Sequence, residues 1–188
     1  MNIKMNFKIN GLDEDFMSIP TISDGSCMFH SILQSFNKTY INSSIKDKQK
    51  ISRQFRNDLS DILDKKIDGK MCYKQLSRGQ LEDFSKIVPE TSLKNMKMSL
   101  KSNEWGDVRF LELISNILDL DIYVIWKQSN DLYVLGDNEL YYKNRDSIII
   151  LNSENNHFDT VGMKYKNNIR TLFDKNEPVI EHLRSKLV

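Results

Sequence analysis

The stretch "SDGSCMFHSI", residues 23–32, places a cysteine between a short polar turn and an apolar run. The apolar residues of this run recur every three or four positions, which predicts a helix from Cys27 to about Asn37. Cys27 would then lie in the first turn of the helix. The positive end of the helix dipole and the unpaired N–H groups there favour thiolate over thiol.

The turn before Cys27 is also suited to carbonyl chemistry. Backbone N–H groups at a helix start can stabilise the oxyanion that forms when a nucleophile adds to a carbonyl. Gly25 supplies a flexible backbone for a tight turn. The segment therefore predicts an activated nucleophile beside an oxyanion site. The alternative is a buried, unreactive cysteine at a helix start.

A nucleophilic cysteine needs a base, and the sequence contains three histidines. His30 shares the rigid helix with Cys27 and cannot easily reach over the thiol, which favours a packing or capping role. His182 lies in a polar tail, where a solvated side chain is expected. His157 is the remaining candidate.

His157 opens "HFDTV", a predicted strand. Residues i and i+2 of a strand point to the same face, about 6.5 Å apart, which places Asp159 beside His157. Asp159 can accept a hydrogen bond from one ring nitrogen, fix the tautomer and leave the other nitrogen facing a sulfur atom. The alternative is a surface His–Asp pair without a catalytic role.

The composition limits the possible partners. A chain of 188 residues with 39% hydrophobic content predicts a single domain, 1–188, with a sizeable core. Because 27 basic and 26 acidic residues nearly balance, nucleic acid is not expected as a partner. The longest apolar run, 122–126, is far shorter than the ~20 residues of a membrane helix, so no membrane partner is expected.

The N-terminus lacks the apolar core of a signal peptide, which predicts a soluble, cytoplasmic protein. In that reducing compartment Cys27 and Cys72 are expected to be free thiols. Two cysteines are too few for the usual cysteine-based zinc site, so no metal is expected.

Helices dominate the first half of the sequence and strands the second, which predicts an α+β fold with helices packed on a small sheet. The predicted helices after the first one are 44–66, two short segments within 72–101, and a helix from Ser102 or Asn103 to about 119. The predicted strands are 122–126, a hairpin within 131–143, 147–151, which is expected to be buried on both faces, and 157–163. Residues 1–22 are interpreted as a polar lead-in, and about 167–188 as a helical extension broken near Pro178.

Three blocks, "DGSCMFHSI", "NEWGD" and "NHFDTV", resemble in this order the signature blocks of the ovarian tumour (OTU) family of deubiquitinating cysteine proteases. The matching region runs from about 24 to 161. Any one block is a modest signal, whereas all three in order are a strong one. The Asn-Glu-Trp-Gly and Cys-x-x-His-Ser-Ile runs are most similar to the viral type, as in the OTU domain at the start of nairovirus polymerases.

The resemblance implies a papain-like OTU fold, with a small mixed β-sheet between helices and a catalytic core at about 20–165. It implies no cofactor. Cys27 would attack the isopeptide carbonyl after the C-terminal glycine of ubiquitin, and His157 would activate the thiol and then protonate the leaving amine. Asp159 matches the orienting position. Asp24 matches the aspartate whose turn shapes the oxyanion hole, to which the Cys27 N–H would contribute.

The same resemblance implies substrate-binding positions. Trp105 matches an aromatic near the base that is either structural or part of the tunnel wall. Gly25 and Ser26 lie in the turn beside the nucleophile, and Ser26 stands where many members carry Asn or Asp. Phe158 follows the base, although strand alternation aims it away from His157.

Candidate acids for the arginine of the ubiquitin tail are Glu104, Asp107 and Glu112, and residues 71–101 are the candidate surface for the body of ubiquitin. The expected partners are ubiquitin, polyubiquitin and the interferon-induced ubiquitin-like modifier, bound by a monomer. The expected role is removal of ubiquitin from host proteins, which would blunt innate immune signalling. Two alternatives stay open: a catalytically silent ubiquitin-binding module, and a cysteine hydrolase that acts mainly on the ubiquitin-like modifier.

Overall fold

The computed structural model describes residues 5–7, 15–102, 104, 106, 108–126, 143–153, 157–166 and 168–185. Most of the hairpin predicted within 131–143 lies outside these residues, as do Asn103, Trp105 and Asp107.

The helices are α1 (Cys27–Phe36), α2 (Lys38–Ile41), α3 (Ile45–Ile62), α4 (Leu81–Phe84), α5 (Leu93–Lys101), α6 (Leu111–Leu118) and α7 (Pro178–Ser185), with short 3-10 segments at Cys72–Gly79, Pro89–Thr91 and Val108–Phe110. Polar side chains fix several of the helix ends. Asn37 follows α1 in an extended conformation and caps α2 by accepting the Tyr40 N–H. Ser44 caps α3 by accepting the Asp47 N–H at 3.2 Å.

The strands are β1 (Met5–Phe7), β2 (Phe16–Ile19), β3 (Lys66–Ile67), β4 (Lys70–Met71), β5 (Asp121–Trp126), β6 (Ser147–Ser153), β7 (His157–Tyr165), β8 (Asn168–Arg170) and β9 (Leu172–Phe173). The main sheet has the order β1-β2-β7-β6-β5, with β8 beside β7 and β9 beside β6. Strands β5 and β6 are parallel and the other described pairs of this sheet are antiparallel, so the sheet is mixed as predicted.

Strands β5 and β6 are buried on both faces, which confirms the interpretation of their apolar runs. On one face, their alternate residues pack with α1 and α6 in one hydrophobic cluster. The intervening residues form a second cluster with the apolar side of α7. The sheet therefore lies between helices, and the predicted α+β fold is confirmed.

The interpretation of residues 1–22 as a polar lead-in missed two strands, β1 at 5–7 and β2 at 16–19. Strand β2 pairs with β7, where Ile19 lies opposite Thr160 and Phe16 opposite Met163. Phe16 and Ser18 are buried, whereas Met17 and Ile19 are only partly so. A run of four residues is too short to show strand periodicity, and the strand exists because β7 supplies its hydrogen bonds.

The helix predicted from Ser102 or Asn103 to about 119 is also wrong in its first half. Ser102 follows the end of α5, where its N–H donates to the carbonyls of Met98 and Ser99. The α-helix begins only at Leu111. Its end is as predicted, with Asp119 in the left-handed region at φ 52°.

Two further boundaries differ from the prediction. Helix α3 ends at Ile62, and the "DGK" segment forms a hairpin between β3 and β4 with Asp68 and Gly69 at positive φ. The C-terminal extension is helical only from Pro178, because β8 and β9 pair with the sheet before it. Proline suits this first helical position because no intrahelical partner exists there for an N–H.

None of the described helices has the length and apolar character needed to cross a membrane.

Candidate active site

Cys27 is the first residue of α1 and is almost completely buried, at 1% exposure. The predicted helix start is confirmed, and the thiol lies at the positive end of the helix dipole. The Cys27 N–H donates to the carbonyl of Asp24 at 3.2 Å. In this structure the Cys27 amide is therefore occupied by a hydrogen bond within the turn. It must leave the Asp24 carbonyl before it can bind an oxyanion.

His157 and Asp159 lie side by side at the start of β7, with His157 Nε2 at 3.1 Å from Asp159 Oδ1. The spacing argument from strand alternation is confirmed. With Nε2 on Asp159, Nδ1 is the nitrogen left for the Cys27 thiol, with which His157 also hydrogen-bonds. Helix α1 and strand β7 thus bring Cys27, His157 and Asp159 together.

These contacts determine the charge of His157. The hydrogen bond with Asp159 is the largest effect, the one with Cys27 is next, and together they raise the pKa of His157 to about 10 although burial opposes them. His157 is therefore an imidazolium at neutral pH. The proton that a leaving group needs is therefore held beside the Cys27 sulfur atom.

Asp159 is held by residues of β2 and the segment after it. Ser18 Oγ donates to Asp159 Oδ2 at 2.7 Å, and the Thr21 N–H donates to Oδ1 at 3.1 Å. Burial favours a higher pKa for Asp159, but the hydrogen bonds from His157, Ser18 and Thr21 outweigh it and lower the pKa below its ordinary value. Sequence reasoning missed Ser18 and Thr21, because nothing in a short strand marks its partner.

Asp24 organises the turn before the nucleophile. Its carboxylate accepts the Ser26 N–H at 2.8 Å and lies 3.2 Å from His30 Nε2. His30 is fully buried, and its Nδ1 lies 2.7 Å from the Tyr40 hydroxyl. Burial lowers the pKa of His30 despite the opposing carboxylate, so the neutral ring donates to Asp24 and accepts from Tyr40. Of the two roles predicted for His30, packing or capping, the structure confirms packing.

Gly25 and Ser26 make contacts within the protein. The Gly25 carbonyl accepts the Gly106 N–H at 3.0 Å and Arg56 Nη1 at 3.2 Å, and Ser26 Oγ accepts Arg56 Nη1 at 2.8 Å. The glycines at positive φ among the described residues are Gly69 and Gly79. Gly25 therefore forms this turn without a positive φ.

The structure contradicts two of the predicted substrate contacts. Phe158 is 3% exposed and belongs to the hydrophobic cluster on the α1 face, because it points away from His157 on the strand. Glu112 is buried, and both of its carboxylate oxygens accept the Ser77 N–H at 2.9 Å, so it is not an acid open to a substrate arginine. Trp105 and Asp107 lie outside the described residues.

Sequence reasoning also missed Arg56, which is buried on α3 and hydrogen-bonded to the turn of Gly25 and Ser26. A signal was present. Arg56 precedes Leu59 by three residues and Leu63 by seven, the spacing of one helix face. An arginine on an inward stripe indicates a buried network.

Within the described ranges, no group of three or more His, Cys, Asp or Glu side chains could hold a metal ion. The chemistry available here is that of a thiol, an imidazole and a carboxylate beside a helix N-terminus. This set can attack an activated carbonyl and pass a proton to a leaving group.

Comparison with known proteins places this geometry in context. The family model described as OTU-like cysteine protease matches residues 22–158. The fold is similar to an ovarian tumour (OTU) domain in complex with ubiquitin, with a TM-score of 0.60, 22% identity, 97% of this chain covered and 89% of that chain. It is also similar to the Hazara virus OTU bound to ubiquitin, with a TM-score of 0.52, 19% identity, 87% of this chain covered and 89% of that chain. Comparison with curated proteins found no match.

Proposed function

Because the chain belongs to the OTU-like cysteine protease family, we propose that it is a deubiquitinase that hydrolyses isopeptide bonds after the C-terminal glycine of ubiquitin. The observation that carries the proposal is the meeting of Cys27, His157 and Asp159 at the start of α1 and β7. The fold similarity to two OTU domains bound to ubiquitin supports ubiquitin as the partner.

In the proposed reaction the Cys27 thiolate attacks the carbonyl carbon of the isopeptide bond. The carbonyl electrons move to oxygen, and the resulting negative charge is stabilised at the α1 N-terminus once the Cys27 N–H has left the Asp24 carbonyl. The C–N bond then breaks, and the His157 imidazolium gives its proton to the leaving lysine amine. The product is a thioester between Cys27 and the ubiquitin glycine.

Hydrolysis of the thioester returns the enzyme to its starting state. Neutral His157 takes a proton from water as the water oxygen attacks the thioester carbonyl. The C–S bond breaks and the sulfur leaves as thiolate beside the restored imidazolium. Asp159 keeps the ring oriented through both steps and stabilises its positive charge.

The finer parts of the proposal concern substrates and setting. The proposed substrates include polyubiquitin and the interferon-induced ubiquitin-like modifier. The enzyme is proposed to act as a monomer in the host cytoplasm, where a viral protein of this kind would blunt innate immune signalling. Trp105, Gly25 and Ser26 remain proposed substrate contacts, and Glu104 remains a candidate for the substrate arginine. The fold similarity to the Hazara virus domain is what supports the viral assignment.

Turnover of ubiquitin bearing a C-terminal aminocoumarin tests the proposal. We expect hydrolysis by the wild type and by Cys72→Ala, and a loss of at least about 1000-fold in kcat for Cys27→Ala. Folded wild-type protein that binds ubiquitin in calorimetry without turnover would instead indicate a silent binding module. Faster release of aminocoumarin from the interferon-induced ubiquitin-like modifier than from ubiquitin would indicate a cysteine hydrolase that acts mainly on that modifier.

A further inference from the structure

Arg56 is a buried cation in the middle of α3, with 2% of its surface exposed. Its guanidinium donates to neutral oxygen atoms of three chain segments. The acceptors are the Gly25 carbonyl at 3.2 Å, Ser26 Oγ at 2.8 Å, the Ser99 carbonyl at 2.7 Å, the Leu100 carbonyl at 3.0 Å and the Glu104 carbonyl at 3.0 Å.

Burying the charge of Arg56 costs free energy, and an apolar side chain could fill the same space without that cost. A guanidinium cannot give up its proton near neutral pH, and moving such an ion out of water costs several kcal/mol. Among the described residues, no carboxylate lies within ion-pair distance of Arg56. Burial lowers the pKa of Arg56, and the charge of Asp24 opposes that shift. We therefore expect that the planar set of N–H donors on Arg56 holds its acceptors in fixed positions.

The Gly25 carbonyl is fixed from two directions. Arg56 approaches it from α3, and the Gly106 N–H approaches it at 3.0 Å from the segment that precedes α6. Both donors also meet Phe29: the guanidinium carbon lies 4.9 Å from the ring centroid, and a Cβ on Gly106 would lie 2.7 Å from the ring. Gly25 and Ser26 are thus fixed against α3 and α1, whereas the Asp24 carbonyl, which accepts the Cys27 N–H, has no contact with Arg56 among these hydrogen bonds.

We propose that Arg56 is a positioning residue for hydrolysis, an inference that rests on the proposed function. It anchors Gly25 and Ser26, so that the adjoining Cys27 amide is directed at the oxygen of the substrate carbonyl once the amide has left the Asp24 carbonyl. The thiol and its imidazole are positioned by α1 and β7 instead. Arg56 therefore acts on the oxyanion and not on the reactivity of the sulfur.

This division predicts two different responses to Arg56→Lys. The lysine keeps the charge, but its ammonium is a point donor that cannot span acceptors on three segments. We expect kcat on ubiquitin aminocoumarin to fall by roughly 10- to 100-fold, since removal of one oxyanion donor typically costs 100-fold or more. KM should stay within about twofold. Alkylation of Cys27 by iodoacetamide, which forms no oxyanion, should keep its rate and pH dependence.

The experiment compares Arg56→Lys and Arg56→Met with Arg53→Lys, an exposed position on the same helix. For each variant we would measure kcat, KM, the melting temperature and the rate of Cys27 alkylation as a function of pH. Each kcat is divided by the fraction of the protein that is alkylated at Cys27 when the alkylation reaction is complete. Ser26→Ala is a further variant that removes one acceptor of Arg56 and leaves the buried charge in place. It should lower kcat in the same direction, by a smaller factor.

Two results would overturn the inference: an unchanged normalised kcat in Arg56→Lys, or a fall in alkylation rate that matches the fall in kcat. If neither Arg56 variant folds, Ser26→Ala decides, and full activity in that variant contradicts the positioning role. Wild-type protein without turnover would instead overturn the proposed function and this inference with it. Wild-type turnover with unaffected variants would overturn the inference alone.

Discussion

The imidazole of His157 lies between a carboxylate and a thiol, and both neighbours favour its protonated form. Because its pKa is raised to about 10, the proton that the leaving amine needs is present at neutral pH and is lost only in alkaline solution. We therefore expect kcat/KM to fall as pH rises through about 10. In Asp159→Asn a neutral amide replaces the carboxylate, which removes its charge and weakens its hydrogen bond with His157, so this alkaline limb should move to lower pH.

The measurement is a pH profile of kcat/KM for the wild type and Asp159→Asn on ubiquitin aminocoumarin. A wild-type limb near 6.5, the ordinary value for histidine, would contradict the imidazolium assignment. So would an alkaline limb that is the same in both proteins.

Ser18 and Thr21 both contact Asp159, but they differ in which atoms they use. Ser18 donates through its hydroxyl, whereas Thr21 donates through its backbone N–H. We expect Ser18→Ala to cost about 1–3 kcal/mol in the free energy of unfolding and to lower kcat, because a buried carboxylate loses a donor. Thr21→Val is the matched control: it loses the hydrogen bond that the Thr21 hydroxyl donates to the Phe158 carbonyl at 2.6 Å, but it keeps the backbone contact with Asp159. Urea denaturation and kcat measure both effects, and equal losses of kcat in the two variants would contradict this account of Asp159.

At the scale of elements, Asp121 joins the start of β5 to the residues that lead into β6. Its fully buried carboxylate accepts the N–H groups of Lys143 and Arg145 and the Arg145 Nε, at 2.9, 3.1 and 2.9 Å. Asp121→Ala leaves Arg145, itself largely buried, without this partner. We expect a loss of roughly 3–5 kcal/mol in the free energy of unfolding.

Asp61→Ala is the control for that variant. Asp61 pairs with Lys101 at 3.2 Å, and more than half of each side chain is exposed. Such surface pairs contribute at most about 1 kcal/mol. Chemical denaturation of the two variants should separate them clearly, and similar losses would show that the Asp121 network is not structural.

The elements that sequence reasoning predicted well are those with enough length to show a period. The helix after Cys27 and the strands at 122–126, 147–151 and 157–163 are examples, and the structure contains each of them. The short strands β2, β8 and β9 could not be predicted, because their stability comes from pairing with distant parts of the chain.

The same distinction applies to the candidate site. The local rules place Cys27 at a helix start and His157 beside Asp159, and the structure agrees. The contacts of Ser18 and Arg56 depend on the register of β2 against β7 and on how α3 packs on α5. Neither is visible along the chain, although the position of Arg56 on an apolar stripe was a usable sign.

At the scale of the whole molecule, the sheet needs cover on both faces. Helix α7 supplies it on the face away from α1, where Ile180 and Leu183 are fully buried. We expect Leu183→Ala to cost about 2–5 kcal/mol, because it leaves a cavity in that second cluster. Leu172→Ala, at a position 39% exposed, should cost under about 1 kcal/mol. Thermal melting of both variants measures the difference, and a mild effect of Leu183→Ala would mean that α7 is dispensable to the fold.

The central claim is that Cys27 reacts with the C-terminal glycine of ubiquitin, and the chain contains a natural comparison in its other thiol. Cys72 is buried, and burial followed by the charge of Glu112 raises its pKa, so it is a poor nucleophile. The most direct measurement is mass spectrometry of the folded protein after incubation with ubiquitin that bears a C-terminal electrophile. We predict one ubiquitin adduct, mapped to Cys27, absent in Cys27→Ala and retained in Cys72→Ala. An adduct mapped to Cys72, or none while a control deubiquitinase is labelled, would contradict the account.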